Sequence, residues 1–262
     1  MKTTISVLGC GWLGLPLSKE LVLKGHSVNG STTSEGKIDI ISATGASPFL
    51  LDLSSQSLPE QFFDSEIFII TVPPSSDKYE SNIKRLVTRL EQKKFPKIIF
   101  ISSSSVYPST NQLVRENDAK AIKSSHSGVT LLEIEKLFNK PEFNTTIIRF
   151  AGLYGPDRHP GRFLKRKSQL TNGRNPVNLI HLDDCIAIIL KIIEGNKWNE
   201  VFNACADEHP SRKEFYTKAS QSLGFDIPEF TDEQGDFKIV DASHLKETLD
   251  YSFIHPDPMN DL

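Results

Sequence analysis

The chain has 262 residues, of which 38% are hydrophobic and 24% are charged, and its formal net charge is −3. This length is sufficient for a full-sized α/β core, either as one large domain or as a main domain with a smaller lobe. The slightly negative charge excludes a general electrostatic attraction to nucleic acid or to anionic membranes, so we expect neither as a partner.

The first predicted element is a strand that runs into a glycine-rich turn and a helix. Residues 5–8 are mostly apolar, residues 9–14 read Gly-Cys-Gly-Trp-Leu-Gly, and residues 15–23 have apolar side chains at helical spacing. A G-x-G-x-x-G turn between strand and helix lets the backbone approach a pyrophosphate, which the helix N-terminus attracts. We therefore predict a dinucleotide site here; the alternative is a corner that serves packing alone.

The second predicted strand, over residues 25–32, ends where a dinucleotide fold usually places an acid against the ribose hydroxyls. This chain has Thr32, Thr33 and Ser34 at that place, with Glu35 and Lys37 just beyond. Because no acid ends the strand, a 2′-phosphate meets less repulsion there, and the sequence leans towards NADP as the cofactor. Glu35 can still reach the ribose, so NAD stays open.

Three further strands follow. Residues 49–53 predict a strand whose Asp52 either meets the adenine edge or turns the next loop. Residues 67–72 are a continuous apolar run closed by Pro73, which is typical of a parallel strand buried on both faces. A helix over 77–93 precedes a strand over 97–101. This alternation predicts an α/β fold with a Rossmann-type, doubly wound parallel sheet.

The predicted elements of the second half of the chain are mainly helices. A helix over 129–138 and a strand over 145–150 complete the first half, and helices are predicted over 183–194 and 211–223. We assign residues 1–150 to the dinucleotide-binding domain and residues 151–262 mainly to a smaller C-terminal substrate lobe. Residues 177–205 are expected to return to the Rossmann sheet.

Four segments carry a family resemblance that spans nearly the whole chain. Residues 102–108 read Ser-Ser-Ser-Ser-Val-Tyr-Pro, 149–156 read Arg-Phe-Ala-Gly-Leu-Tyr-Gly-Pro, 180–184 read Ile-His-Leu-Asp-Asp, and 201–204 read Val-Phe-Asn-Ala. In this order, after the glycine turn, they resemble the extended short-chain dehydrogenase/reductase superfamily, in its nucleoside-diphosphate-sugar epimerase and dehydratase branch. The resemblance implies an NAD(P)-dependent protein that acts on a sugar or nucleotide-sugar by hydride transfer.

The chain departs from that family at its catalytic pair, a Tyr and a Lys four residues apart on one helix face. Counting back from Glu135, which resembles an acid of the family's helix, the two positions fall at Ser127 and Leu131. A serine hydroxyl is far harder to ionise than a phenol, and leucine has no charge to offer. No Tyr-x-x-x-Lys occurs between residues 106 and 150, so the chain resembles an atypical subgroup.

Several residues are candidates for the remaining roles. Ser103 matches the family's catalytic hydroxyl or turns the strand end, and His126 is either a replacement acid or base or an exposed loop histidine. Tyr107 lies near the substrate in the family, or packs as an amphipathic ring. Four arginines offer two interpretations: they clamp the diphosphate of a nucleotide-linked substrate, or they are ordinary surface cations. They are Arg158, Arg162, Arg166 and Arg174.

The expected cofactor contacts extend over the ends of several predicted strands. They are Gly9, Gly11, Trp12, Leu13, Gly14, Thr32, Thr33, Ser34, Asp52, Val72 and Pro73. His126, His159 and His181 lack helical ligand spacing, so no metal site is predicted. The competing function is that of a non-catalytic dinucleotide-binding protein, a sensor or regulator. The resemblance implies a homodimer through the helices over 77–93 and 129–138, since relatives often dimerise through a helix bundle; the alternative is that the sheet covers the apolar faces of these helices.

The cysteines and the N-terminus bear on the cellular compartment. Cys10, Cys185 and Cys205 are scattered and lack Cys-x-x-Cys spacing, which argues against a disulfide framework or structural zinc and fits a reducing compartment. The sequence enters its first strand without a cleavable leader, and no apolar run has the length of a bilayer-spanning helix. We therefore expect a cytoplasmic protein.

Overall fold

The computed structural model describes residues 2–55, 57–75, 77–121, 130–163 and 169–262. The strands are β1 (Thr4–Leu8), β2 (Ser27–Thr32), β3 (Ser47–Leu50), β4 (Ile67–Ile70), β5 (Lys97–Ser103), β6 (Gln112–Val114), β7 (Asn144–Phe150), β8 (Gly152–Tyr154), β9 (Gln169–Leu170), β10 (Leu179–His181), β11 (Val201–Ala204), β12 (Glu229–Phe230) and β13 (Lys238–Val240). The α-helices are α1 (Gly14–Leu23), α2 (Ile38–Ser42), α3 (Tyr79–Leu90), α4 (Leu131–Phe138), α5 (Leu182–Glu194), α6 (Arg212–Gln221) and α7 (Ser243–Leu249).

Seven strands form the central sheet, in the order β11-β7-β5-β4-β1-β2-β3. β1 lies between β2 and β4 and runs parallel to both, so that Ile5 pairs with Val28 on one side and with Ile67 on the other. The strand order reverses between β1 and β4, and ligands of open α/β sheets bind beyond the carboxyl ends of strands at such a point. The predicted Rossmann-type α/β class is confirmed.

The apolar runs seen in the sequence form the core. All four residues of β4 are buried, and Ile5 and Val7 of β1 have no exposed surface. The buried residues of α3 include Ile83, Leu86 and Leu90, which recur at the spacing that places them on one helix face. The apolar faces of α3 and α4 are thus covered within the chain itself, while the homodimer stays a prediction.

The element boundaries differ from the predicted ones where turns interrupt the pattern. β3 begins at Ser47 and ends at Leu50, so Asp52 lies beyond the strand. α3 spans Tyr79–Leu90 and is shorter at both ends than the predicted helix over 77–93. Three two-stranded parallel pairs, β10 with β8, β12 with β9 and β13 with β6, had no counterpart among the predicted elements because each strand has only two or three residues.

The chain divides into two compact units. The first comprises Met1–Ser102, Ala121–Ile148 and Ile189–Val201. The second comprises Ser103–Lys120, Arg149–Ile188 and Phe202–Leu262. None of the described helices has the length and apolar character needed to cross a membrane.

Candidate functional site

The glycine turn after β1 is held by its two neighbouring strands. Gly9 has φ of +101°, a conformation that side-chain-bearing residues rarely adopt. Its N–H donates to Ser31 Oγ at 3.0 Å, and the N–H of Cys10 donates to the Ser31 carbonyl at 2.7 Å. From beyond β4, Thr71 Oγ1 donates to the Gly9 carbonyl at 2.7 Å. The turn is therefore fixed before any ligand arrives.

The other two glycines of the turn have opposite surroundings. A Cβ placed on Gly14 would lie 2.2 Å from the Gly9 carbonyl oxygen, so only glycine lets α1 start this close to β1. A Cβ placed on Gly11 would meet nothing within 4 Å. Gly14 therefore serves helix–strand packing, and Gly11 leaves the backbone open to a ligand, which is the division of roles in a dinucleotide turn.

A cavity of about 200 Å³ lies beside Gly11. Its lining consists of Cys10, Gly11, Trp12, Leu15, Lys37, Ile40 and Ile41. The sequence predicted Gly11 and Trp12 here but not Ile40 and Ile41 of α2, nor Lys37 as a lining residue. Burial raises the pKa of the Cys10 thiol, with the Lys37 charge acting in the opposite direction. An open backbone position with a cation at the same cavity fits a phosphate-bearing ligand.

The residues that follow β2 and β3 form tight turns. Thr32 Oγ1 accepts the N–H of Ser34 at 3.1 Å, while Thr33 and Ser34 are exposed. Asp52 is exposed and its Oδ1 accepts the N–H of Ser54 at 2.8 Å, which lowers the pKa of its carboxyl. Asp52 thus has the geometry of the loop-turning alternative, and its contact with a cofactor stays a prediction.

Three further predicted cofactor contacts are part of the glycine turn or follow β4. Val72 follows β4, and its Cγ1 atom would be 3.0 Å from a Cβ placed on Gly9. Leu13 is buried with 6% exposure just before α1, and Pro73 is exposed after Val72. Val72 therefore lies against the glycine turn, and the contacts of these residues with a cofactor stay predictions.

At the carboxyl end of β5, two neighbouring serines have different partners. Ser103 Oγ accepts the N–H of Ser105 at 3.1 Å, as a serine that turns a strand end would. Ser102 Oγ donates to Glu135 Oε1 at 2.6 Å, and both side chains are buried. In the sequence, Glu135 served only to align the family's helix. Its hydrogen bond with Ser102 joins residues 33 positions apart, so no local sequence pattern predicts it.

Leu131, which stands where the family resemblance would place a lysine, is an apolar residue in a buried position. Leu131 is the first residue of α4 and is only 5% exposed. Its side chain belongs to the core of the first unit. His126 and Ser127 lie outside the described residues.

Tyr107 lies within a buried polar network of the second unit. Its hydroxyl donates to Asn203 Oδ1 at 2.6 Å and accepts from Arg149 Nη1 at 2.7 Å. Glu116 closes the network, because its carboxylate accepts the N–H of Asn203 at 2.8 Å and its carbonyl accepts from Arg149. Burial raises the pKa of Tyr107 to about 12, against the opposing effect of Arg149. The phenol therefore keeps its proton at neutral pH, and its role towards a substrate stays a prediction.

The predicted arginines occupy different elements of the second unit. Arg158 Nε donates to the Leu153 carbonyl at 2.9 Å, and its guanidinium lies 5.8 Å from the centroid of the Phe163 ring. Arg162 is exposed, and Arg166 lies outside the described residues. Arg174 lines an open groove of about 550 Å³ along α6, together with Lys213 and Lys218. Lys213 and Lys218 are two cations of this groove that sequence reasoning missed.

The chain is similar to a family of NAD-binding domains and to solved epimerase structures. Residues 4–130 match the model of the NAD binding domain of 6-phosphogluconate dehydrogenase. UDP-glucuronic acid 4-epimerase from Bacillus cereus, solved with UDP-glucuronic acid and NAD, is similar with a TM-score of 0.80 and 20% identity, over 98% of this chain and 96% of that one. UDP-glucose 4-epimerase from Thermotoga maritima, solved with UDP-glucose, is similar with a TM-score of 0.75 and 19% identity, over 96% of this chain and 94% of that one.

The solved structures show a shared Rossmann-type, epimerase-like fold. A much nearer relative is protein YeeZ of Escherichia coli strain K12, which is 33% identical over 268 residues, covering 97% of this chain and 97% of that protein. Identity at this level along almost the entire length shows the family directly. The chain belongs to the family of protein YeeZ.

Proposed function

We propose that this protein is an NAD(P)-dependent oxidoreductase or epimerase of the extended short-chain dehydrogenase/reductase type, acting on a sugar or nucleotide-sugar. The observation that carries the proposal is the open backbone at Gly11 beside a cavity that Lys37 also lines. A turn that only joined a strand to a helix would need glycine at Gly9 and Gly14, where backbone angle and packing demand it. It would have no need of glycine at Gly11.

Within the first unit, Gly11 and Trp12 would face the pyrophosphate, and Lys37 would lie towards the adenosine ribose. NADP is the cofactor we propose, and the support is that Thr32, Thr33 and Ser34 stand in place of an acid while Lys37 lines the cavity. A bound nicotinamide supplies a reversible hydride acceptor. The chain itself would orient the cofactor through the glycine turn. It places no acidic side chain at the end of β2, where a carboxylate would repel the 2′-phosphate.

The substrate would be a small molecule, and a nucleotide-sugar is the class we propose. The solved neighbours that carry UDP-glucuronic acid or UDP-glucose support this class, because the fold is shared. A diphosphate needs guanidinium or ammonium partners, and Arg174 lines a groove with Lys213 and Lys218. Asp232 lines the same groove and pairs with Lys213 at 2.9 Å, so a diphosphate would have to displace that carboxylate. Arg158 and Arg162 remain candidates for the same role.

The proton of the reaction needs a group other than the family's tyrosine. Ser103 would hydrogen-bond the reacting oxygen, and His126 or a water would move the proton. Tyr107 would support the substrate side only by packing, since its hydroxyl is already bound to Asn203 and Arg149. The roles of Ser103 and His126 rest on the resemblance of the sequence to the family.

A second function has its own support. Leu131 is buried and uncharged at the place where the family's lysine would stand, and Ser103 already accepts a backbone N–H. Both features suit a protein that binds a dinucleotide as a signal and performs no chemistry. Such a protein would still be stabilised by the ligand, because binding to the folded state alone shifts the unfolding equilibrium.

Turnover distinguishes the two functions. The purified protein is incubated with NAD or NADP and with UDP-glucuronic acid or UDP-glucose, and products are followed by NMR and by nicotinamide absorbance. The enzyme proposal predicts a product with at least one pair and a fall of about a hundredfold in rate for Ser103→Ala, the size expected for a lost catalytic hydroxyl. Ser105→Ala, an exposed neighbour, serves as the matched control and should keep the rate.

Cofactor binding without turnover on any of these sugars would reject the proposed substrate class and favour the sensor. Equal rates for the two serine variants would instead remove Ser103 from the reaction while leaving the enzyme proposal standing.

A further inference from the structure

Lys238 is a half-buried lysine of the second unit that forms no ion pair with any carboxylate of the described residues. It begins β13, and its Nζ donates to the Tyr107 carbonyl at 2.6 Å. An ammonium group has three N–H donors, so one carbonyl uses only part of its capacity. Burial lowers the pKa of Lys238, as expected for a cation that loses hydration without gaining an opposite charge.

The lysine occupies the inward side of its strand. Side chains alternate along a strand, so Lys238 shares a side with Val240, which is only 2% exposed, and not with Ile239. Val114, which pairs with Val240 across β6, is equally buried. A cation on the side of a strand that otherwise carries apolar residues costs hydration, and it needs a polar or charged partner in compensation.

Hydrogen bonds fix the backbone that carries Lys238. The Asn178 side chain donates from Nδ2 to the Lys238 carbonyl at 2.9 Å, and its Oδ1 accepts the Val240 N–H at 2.8 Å. Just before the strand, the Phe237 N–H donates to Asn111 Oδ1 at 2.8 Å. The position of the lysine is therefore set by its backbone before any ligand arrives.

The ammonium group lies beside the chain segment that follows β5. This strand ends at Ser103, and Tyr107, whose carbonyl accepts from Lys238, comes four residues later. Ligands of open α/β sheets bind beyond the carboxyl ends of the strands. Because Lys238 is only half-buried, a ligand can reach its ammonium group from solvent.

The neighbouring carboxylates are engaged elsewhere. Glu116 belongs to the buried network around Tyr107, where its carboxylate accepts the N–H of Asn203. Asp241, three residues after Lys238, pairs with Arg115 at 2.8 Å. The described part of the chain therefore leaves one positive charge to be balanced by a ligand, and a single negative charge is sufficient.

We propose that Lys238 binds a carboxylate of the substrate, so that the protein prefers a nucleotide-linked sugar acid to a neutral nucleotide-sugar. This inference rests on the proposed function and narrows its substrate class. A lone ammonium group is a point charge and suits a monoanion, whereas a diphosphate carries more negative charge and suits guanidinium forks or several cations. A half-buried ion pair is also screened by salt less than an exposed one.

The test measures binding alone and does not depend on catalysis. UDP-glucuronic acid, UDP-glucose and UDP are each titrated calorimetrically into the full chain, after any nucleotide that copurifies has been extracted. The wild-type chain should bind UDP-glucuronic acid about tenfold more tightly than UDP-glucose, as expected for one partly screened charge contact. In Lys238→Met the two nucleotide-sugars should bind equally, and the affinity for UDP should be unchanged.

Lys246→Met is the matched control, because Lys246 is another half-buried lysine of the second unit but pairs with Asp207 at 2.7 Å. This variant should keep the preference for UDP-glucuronic acid. A lysine that only ties β13 to the Tyr107 carbonyl predicts a different result, in which Lys238→Met melts at a lower temperature and the preference remains.

Equal affinity of the wild-type chain for the two nucleotide-sugars would overturn the inference, whether or not Lys238→Met folds. A loss of affinity for UDP itself in Lys238→Met would overturn it as well, since the cation would then contact the diphosphate. Binding of none of the three compounds would reject the nucleotide-sugar class of the proposed function, and this inference with it.

Discussion

Alanine substitutions at Gly14 and Gly11 should have opposite consequences for stability. At Gly14 the new methyl group would lie 2.2 Å from the Gly9 oxygen and 3.1 Å from Thr71 Oγ1, so α1 has to shift away from the sheet. Overpacking of this kind costs about 1–3 kcal/mol. At about 2–4 °C per kcal/mol for chains of this size, we expect the melting temperature to fall by about 2–12 °C.

At Gly11 the methyl group would meet no atom within 4 Å, and the backbone is outside the left-handed region. We therefore expect the free energy of unfolding to change by less than about 0.5 kcal/mol, as for a neutral surface substitution. Both variants are measured by differential scanning calorimetry without added nucleotide. The reasoning is refuted if Gly14→Ala melts with the wild-type chain, or if Gly11→Ala loses as much stability as Gly14→Ala.

Three further substitutions test other parts of the account. Lys37→Met should weaken NADPH binding about tenfold in calorimetry, as expected for loss of one partly screened charge contact, and leave NADH binding unchanged. Equal losses of affinity for the two nucleotides would place Lys37 at the pyrophosphate that they share. Tyr107→Phe should cost about 1–3 kcal/mol in urea unfolding because two buried partners lose their hydrogen bond. Tyr216→Phe, whose hydroxyl has no hydrogen-bond partner among the described residues, is its control, and equal costs would contradict the network. Burial raises the pKa of Asp241, but hydrogen bonds from Ser243 and Arg115 outweigh it and the pKa is lowered.

That lowered pKa sets the direction of a pH effect. A carboxyl with a depressed folded-state pKa contributes stability above its unfolded pKa of about 3.9, and this contribution is lost as pH falls through the folded value. The melting temperature of the wild-type chain should therefore fall more steeply below about pH 4 than that of Asp241→Asn. Parallel curves for the two proteins would contradict this assignment.

The elements with a strong local pattern could be predicted from the sequence. Continuous burial of β4 follows from an unbroken apolar run, and the turn at Gly9 follows from a motif whose residues have separate physical duties. Boundaries were less predictable, because turn geometry ends a strand or helix where periodicity alone would continue it. Asp52 is an example, since β3 stops at Leu50 and the carboxylate caps a turn beyond it.

Contacts between distant parts of the chain could not be predicted. The cavity beside Gly11 depends on where α2 returns after β2, so Ile40 and Ile41 gave no signal of their role. His255 lies 72 residues beyond Asp183, and its approach depends on the buried carboxylate of Asp184. Helical spacing around His181 therefore gives no indication that His255 lies nearby.

The central claim, that the first unit binds a dinucleotide at the glycine turn, is tested most directly by calorimetric titration of NAD, NADH, NADP and NADPH into the wild-type chain and Gly11→Asp. Any nucleotide that copurifies is first extracted and identified. A carboxylate about 4 Å from a phosphate costs about 4 kcal/mol at an effective dielectric constant of about 20, so Gly11→Asp should bind about a thousandfold more weakly. Its own melting temperature should be unchanged, because the new side chain enters open space. The account predicts saturable binding to the wild-type chain, tightest for an NADP form, and its loss in the variant; no binding to the extracted wild-type chain, or equal binding to both, would contradict it.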